Sequence, residues 1–350
     1  MNPYDAIVLG ASGYVGAECL RLVEAHPRLA LKAAVSESRA GVAVSTLFPH
    51  LASIPAKFRP PSQIPSILEE SEGTVAVLSA ASHGASAPLV SELLACAAAK
   101  GIDVRVVDLS ADFRYREAAS YEAVYKKPHG AAPILPLFES GLPEHVEGIP
   151  RHAGHPGCFA TSVLLAIVPL LKLGIVEPEI FAVGITGSTG SGREPRETTH
   201  HPERHSNLFA YQPLVHRHVP EMMELAEKAS GVRPKIHFVP HSGPFARGIH
   251  ATVQARLRAP LRAGDIRAEL SRFYVDSPLV RVVAETPRVK DVAGSSYAHL
   301  GVATEGESVA VFSVIDNLLK GAAGGGVQWL NRMLGLPQST GLSQSAPGWI

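Results

Sequence analysis

Apolar and polar positions divide this chain into two contrasting halves. In the first, short and nearly continuous apolar runs alternate with longer runs of helical period. Tyr4–Leu9, Leu29–Val35, Thr74–Leu78 and Val104–Val107 are brief and rich in Ala, Ile, Leu and Val, as strands buried on both faces are. Between them, AECLRLVEAH and LVSELLACAAAKG place apolar residues three and four apart, and Gly101 supplies a helix stop. Strands joined by crossover helices predict a parallel, doubly wound sheet.

From ATSVLLAIVPLLKLG onward, a run apolar enough for a buried helix, the pattern changes. Phe181–Thr186, Lys235–Pro240, Gly248–Leu257, Val280–Ala284, Tyr297–Thr304 and Ser308–Ile315 alternate as longer strands do. Helical segments, PEMMELAEKASG and RAGDIRAELSRFYVD, separate them. This half predicts a mostly antiparallel sheet with one face covered by helices. NLLKGAAGGGVQWLN, residues 317–331, reads as a helix returning to the first domain, and QSTGLSQSAPGWI as an irregular surface tail. The fold class expected is α/β plus α+β.

With 350 residues the chain is long enough for two cores. Its 32 basic and 32 acidic side chains balance, so no cationic excess points to nucleic acid and no acidic tail is present. No apolar run suits a bilayer and the N-terminus reads straight into a strand. A soluble, cytoplasmic protein with reduced thiols is the expectation. Cys19 and Cys96 lie in apolar helical runs and read as small core residues.

The first strand leads into Gly10-Ala-Ser-Gly13-Tyr-Val-Gly16 and then a helix. Strand, glycine loop and helix in this order suit a dinucleotide, with the pyrophosphate at the helix N-terminus. At the end of the second strand Glu37 argues for NAD, whereas Ser36, Ser38 and Arg39 suit the ribose phosphate of NADP. Two hydroxyls and a guanidinium outweigh one carboxylate, so NADP is favoured. The loops Ser79–Gly84 and Asp108–Arg114 follow strands and belong at the cofactor or substrate mouth.

Cys158, in HPGCFATS, stands at a turn and a helix start, where unpaired N–H groups favour a thiolate. From this local context it is either a nucleophile or a buried structural cysteine. The many histidines between 200 and 218 raise metal binding, but there is no HExxH helix and no cysteine pair at ligand spacing, so no metal is expected.

These motifs together resemble the N-acetyl-gamma-glutamyl-phosphate reductases of the semialdehyde and glyceraldehyde-phosphate dehydrogenase superfamily. The resemblance runs through GASGYVG (10–16), DLSADFR (108–114), GLPE (141–144), HPGCFATS (155–162), GSTGSGR (187–193), HRHVPE (216–221), RGI (247–249) and NLLKGAAG (317–324). It implies an arginine-biosynthesis enzyme that reduces a small acyl phosphate with NADPH through a cysteine thioester. Cys158 matches the nucleophile, and His216 the acid/base that as imidazolium would stabilise the thiolate. Gly10, Ser12, Gly13, Tyr14, Val15 and Gly16 match the pyrophosphate loop, Ser36 and Arg39 the ribose phosphate side, and Ser79 the cofactor mouth. Gly190, Gly192 and Asn317 match the nicotinamide side. Arg114 and Arg247 are candidates for substrate phosphate or carboxylate, with structural pairing to a carboxylate as the alternative.

The resemblance also implies a Rossmann NADP-binding domain, 1–156 plus 325–350, and an inserted glyceraldehyde-phosphate-dehydrogenase-like mixed-sheet domain, 157–324, in a homodimer or homotetramer. The sequence departs from the family at His155, where Asn is usual and a substrate contact is expected, at Gly294-Ser295-Ser296, and in the length of GSTGSGR. HHPER also resembles the lysine-pathway reductases that act on carrier-bound aminoadipyl phosphate. Arg193, Arg196 and Arg204 could form a basic face for such an acidic carrier protein or a merely solvated loop. A different class altogether is a non-enzymatic NADP-binding regulator on the same scaffold.

Overall fold

The structure, a computed structural model, describes residues 3–349. In chain order the first half runs β1 (Tyr4–Leu9), α1 (Tyr14–Glu24), β2 (Leu29–Val35), α2 (Val44–Leu47), α3 (Ile64–Glu69), β3 (Val75–Ser79), α4 (Ser86–Ala99), β4 (Val104–Asp108), α5 (Ala118–Tyr125), β5 (Phe138–Ser140) and β6 (His152–Gly154). The second runs α6 (Cys158–Lys172), β7 (Val176–Thr186), α7 (His201–Arg204), β8 (Phe209–Ala210), α8 (His218–Ser230), β9 (Lys235–Ser242), β10 (Ile249–Leu257), α9 (Ala263–Phe273), β11 (Val280–Val282), β12 (Ala298–Glu305), β13 (Ser308–Ile315) and α10 (Gly324–Met333). Among the described residues no helix is long and apolar enough to cross a membrane.

The chain divides into two compact units. The first holds the chain up to Pro143, Glu147–Pro156 and Ala322–Leu342; the second holds Glu144–Val146, Gly157–Gly321 and the chain from Ser343. The expected grouping of 325–350 with the first domain therefore ends at Leu342. Glu144–Val146 form an excursion into the second unit because their partners lie there: Glu144 pairs with Lys320, and the Nε2 of His145 lies 2.9 Å from the Tyr274 hydroxyl.

In the first unit six strands form one parallel sheet in the order β2-β1-β3-β4-β6-β5. Register places Leu9 beside Ser79 and Ser79 beside Asp108, so the carboxyl ends of β1, β3 and β4 align. Ile7, Val77, Val106 and Val90 meet in the core beneath. β5 and β6 escaped the sequence reading because three residues show no periodicity. The DLSADFR motif is the brace of this edge. Asp112 accepts the N–H groups of Gly84 (2.7 and 2.9 Å) and Ala87 (2.9 Å), which caps α4 from outside. Asp108 is fully buried and takes hydroxyl donors from Ser86 and Ser110.

In the second unit seven strands form a mixed sheet, β11-β12-β13-β10-β7-β9-β8. β7 pairs parallel with β9 and β11 with β12, while the other neighbours are antiparallel. On β7, Ile180, Ala182, Gly184 and Thr186 are buried while Glu177, Glu179, Phe181 and Val183 are exposed, so one face is covered and the other open. β7 starts five residues earlier than predicted; Glu177, Pro178 and Glu179 mask its alternation.

Helix α6 is buried nearly along its length and contains Pro169. Proline has no N–H to give the carbonyl four residues back, which strands that of Leu165. The Tyr274 hydroxyl donates to the Leu165 oxygen at 2.8 Å, which makes good the deficit. The predicted helix over 317–331 is not continuous. Leu319–Ala323 form a π-helical turn, closed by the Gly321 N–H on the Asp316 carbonyl at 3.0 Å, and α10 follows.

Candidate active site

Cys158 is the first residue of α6, half-buried, with Gly157 in the N-cap position and no side-chain cap. Cys158 therefore stands at the positive end of the helix, a position that favours an anion. The turn is anchored from α8. Glu221, completely buried in the first turn of that helix, accepts the Gly157 N–H at 2.7 Å.

His216 lies just ahead of the same helix. Its Nδ1 accepts the His218 N–H at 3.2 Å, which satisfies one amide at the start of α8. A neutral ring that accepts at Nδ1 carries its proton on Nε2. Burial, and secondarily the Arg217 charge, push His216 down to about 4. The imidazolium expected from the resemblance is thus not the resting form: His216 is neutral near pH 7 and holds a donor at Nε2. Phe159, next to the cysteine, meets the His216 ring edge to face at 5.7 Å.

Tyr211 completes this corner. Its ring lies 5.8 Å from that of His216, and its hydroxyl is held above the ordinary tyrosine range by burial and then by the charge of Cys158. Between Tyr211 and His216 the chain passes through Gln212 (φ 45°) and Leu214 (φ 65°), left-handed conformations at non-glycine residues. Such backbone strain collects at functional sites.

The glycine-rich segment after β7 is tied down by Asn317. Its Oδ1 accepts the Gly248 N–H at 2.7 Å and its Nδ2 donates to Thr189 Oγ1 at 3.0 Å. Gly190 and Gly192 are exposed on that loop. Arg247 forks onto Asp316 at 2.9 and 3.2 Å, and Asp316 also takes the N–H groups of Gly294, Leu318 and Leu319. Arg247 is therefore committed to a structural carboxylate, the alternative left open by the sequence.

In the first unit the glycine loop fits a dinucleotide. A Cβ on Gly10 would fall 2.4 Å from Ala81 N, and one on Gly16 2.6 Å from the Gly10 oxygen. These two glycines let the loop pack. Gly13 has no such packing reason: its Cβ would meet nothing nearer than 3.9 Å. It is the N-cap of α1, again without a side-chain cap, so the amide end is open to an anion. Tyr14 is exposed and Val15 half-buried at the start of the helix. Ser36 donates to Ser12 at 2.9 Å, which joins the loop to the end of β2, and Arg39 is exposed beyond it. The donor set suits the phosphates of NADP.

Other expected contacts are turned inward. Arg114 is buried and donates from Nε to the His155 carbonyl and from a terminal nitrogen to the Leu109 carbonyl, both at 3.0 Å. It staples two strand ends. His155 is fully buried with its ring over Gly325, whose Cβ would fall 2.2 Å from it. A buried imidazole so placed fills the gap to α10. Ser79 is buried too and shares a 2.6 Å hydrogen bond with Ser86, which leads on to Asp108. Arg204 is buried against the carbonyls of Asn207 and Phe245, which removes it from any basic face; Arg196 is exposed and Arg193 half-buried. Among the described residues no three His, Cys, Asp or Glu side chains are placed to hold a metal.

Glu221, Tyr211 and Asp316 were not singled out from the sequence. Glu221 stands inside HRHVPE and Asp316 immediately before NLLKGAAG, so motif membership was a usable signal for both. Tyr211 had none.

Fold and site together define a two-unit nucleotide-binding protein with a helix-capped cysteine. The profile described as "Semialdehyde dehydrogenase, NAD binding domain" matches residues 5–137, and "Semialdehyde dehydrogenase, dimerisation domain" matches 158–317. A Dehalococcoides mccartyi protein named N-acetyl-gamma-glutamyl-phosphate reductase is 37% identical, with 99% of each chain covered. A Bacillus cereus protein of the same name is 35% identical over 96% of this chain and 97% of its own. Among solved structures, aspartate semialdehyde dehydrogenase II from Vibrio cholerae has a TM-score of 0.66 at 16% identity, covering 95% of this chain and 99% of that one. The Candida albicans aspartate semialdehyde dehydrogenase with NADP reaches 0.65 at 15% identity, covering 97% and 100%. The chain belongs to the semialdehyde dehydrogenase family and, within it, to the N-acetyl-gamma-glutamyl-phosphate reductases.

Proposed function

We propose that this protein reduces N-acetyl-gamma-glutamyl phosphate to N-acetylglutamate 5-semialdehyde, using NADPH, in arginine biosynthesis. The observation that carries the reading is the placement of Cys158 at the bare N-terminus of α6, with its turn anchored by α8 just beyond His216, in a chain with full-length relatives of that name.

The Cys158 sulfur attacks the acyl carbon and the carbon–oxygen bond to phosphate breaks, so that phosphate leaves with the electron pair and a thioester remains. His216, neutral with its proton on Nε2, donates a hydrogen bond to the oxygen on which negative charge develops. Gly10–Gly16, Ser36 and Arg39 would hold NADPH, whose chemistry when bound would be hydride donation, bringing the acyl group to the aldehyde level. Cleavage of the carbon–sulfur bond then returns the thiolate, which the α6 amides favour.

The decisive assay is the reverse reaction: N-acetylglutamate semialdehyde, phosphate and NADP, followed by absorbance of the reduced cofactor, with Cys158→Ser as control. Phosphate-dependent reduction that Cys158→Ser abolishes is the expected result, and its absence refutes the reading. Efficient turnover of the free substrate also excludes an obligatory carrier protein.

Self-association is part of the proposal. The profile over 158–317 is described as a dimerisation domain, and β7 presents Phe181 (50% exposed) and Val183 (41%) on the open sheet face. Apolar side chains there suit burial against a second copy.

A further inference from the structure

One buried charge pair is not used by the chemistry above. Lys320 Nζ and Glu144 Oε1 form an ion pair, and both side chains are completely buried. Desolvating two charges is expensive, and such pairs seldom add net stability over an apolar replacement of like volume. In some proteins such a pair instead specifies one arrangement among several. What this pair could specify is visible in its surroundings.

Lys320 is the second residue of the π-turn Leu319–Ala323, a rare form that recurs at functional sites. The turn is already held from below by Asp316, which takes the Leu318 and Leu319 N–H groups at 2.8 and 3.0 Å. The next residue, Gly321, lies against the nucleophile. A Cβ there would fall 2.8 Å from Cys158 Cβ and 3.1 Å from its Cα. The backbone of the π-turn is thus a wall behind Cys158. Glu144 arrives from a distant part of the sequence, on the short excursion that His145 and Tyr274 secure beside Leu165 of α6. The carboxylate is therefore fixed to the same helix that carries the cysteine.

We propose that Lys320 and Glu144 are positioning residues: their buried pair locks the π-turn whose Gly321 backbone sets the place of the Cys158 side chain. If the turn relaxed to ordinary helical register, each residue after Asp316 would rotate and Gly321 would leave its contact. Neither residue touches substrate; both act through Cys158. The inference rests on Cys158 being the reactive thiol of the proposed function.

The test separates geometry from turnover. Lys320→Met with Glu144→Leu replaces the pair by apolar side chains of similar volume, an exchange that is often neutral or stabilising. In this variant kcat for the phosphate-dependent reaction is expected to fall at least tenfold while KM changes less than threefold. The rate of Cys158 alkylation by iodoacetamide, read by mass spectrometry of the cysteine peptide, is expected to fall at least threefold at an unchanged melting temperature. Gly321→Ala should reproduce both changes, because the added methyl displaces Cys158 directly. A folded double variant with native alkylation rate and kcat overturns the proposal, as does one that loses only thermal stability. If the double variant does not fold, Glu144→Gln keeps the volume and an acceptor, and a native alkylation rate there overturns it equally. Should the wild-type protein show no phosphate-dependent reduction, the functional reading fails, while the alkylation comparison still decides the role of the pair.

Discussion

The main-chain N–H of Gly157 donates to the buried carboxylate of Glu221 at 2.7 Å, and this bond links the cysteine turn to the helix that begins beside His216. Removing the acceptor leaves a buried amide unsatisfied. Glu221→Ala is expected to lower unfolding free energy by about 1–3 kcal/mol, and Glu221→Gln, which keeps an oxygen acceptor, by less. Denaturant titration of both variants checks the order; equal losses would show that the carboxylate acts elsewhere.

Cofactor preference is expected to turn on Arg39, the exposed cation past β2. Arg39→Ala should weaken NADP binding by roughly tenfold, the loss of one charge-assisted contact of about 1.4 kcal/mol, and leave NAD binding nearly unchanged. Titration of each cofactor by intrinsic fluorescence measures both constants. A parallel loss for NAD would place Arg39 on a feature that the two share.

Stability should fall on mild acidification. Burial pushes His145, His152 and His216 down to about 4 in the folded chain, against an unfolded value near 6.5. Each is a depressed group, so its contribution is present above pH 6.5 and lost as pH falls toward 4. Asp108 has the opposite sign: burial raises it to about 7, and its contribution is present below about 4 and lost as pH rises through 7. Asp108→Asn is expected to remove the alkaline-side loss alone, and His145→Gln to flatten the acid side. Denaturation midpoints from pH 4 to 8 decide between these slopes.

Tyr274→Phe is expected to cost about 1–3 kcal/mol by leaving the Leu165 carbonyl without its donor. Pro169→Ala supplies the missing helical N–H, so it should recover part of that loss in the Tyr274→Phe background. Thermal melts of the two single variants and the double test the coupling, which additive losses would contradict.

Arg114→Met should behave as a core lesion. Its guanidinium serves the carbonyls of Leu109 and His155, so the melting temperature is expected to drop while KM for the acyl phosphate holds within about twofold. A large rise in KM with native stability would return Arg114 to the substrate site.

Strands β1 to β4 and helices α1 and α4 of the first unit were legible because each repeats a local pattern over five or more residues, and the glycine loop because its spacing answers to one kind of ligand. Cys158 was legible from its neighbours: Pro-Gly before it and an apolar helix after it leave the thiol at a helix start. For Arg114, His155, Arg247 and Ser79 the sequence could not tell which way the side chain faces. An arginine, histidine or serine in a family motif looks the same in sequence whether it faces a substrate or a backbone carbonyl. Only the fold shows Arg114 between two strand ends and His155 over Gly325.

What the amino-acid order determined by itself is everything that depends on near neighbours: hydrophobic period, turn chemistry, the bare helix starts that favour anions, and the family of the chain. The tertiary structure decided what depends on groups far apart in sequence. It brought Glu221 to Gly157, Asp316 to Arg247 and Glu144 to Lys320, and it buried His216 deeply enough to hold it neutral. The physical reason is that burial and pairing are properties of the folded surroundings, and a charge or a proton responds to those surroundings rather than to its place along the chain.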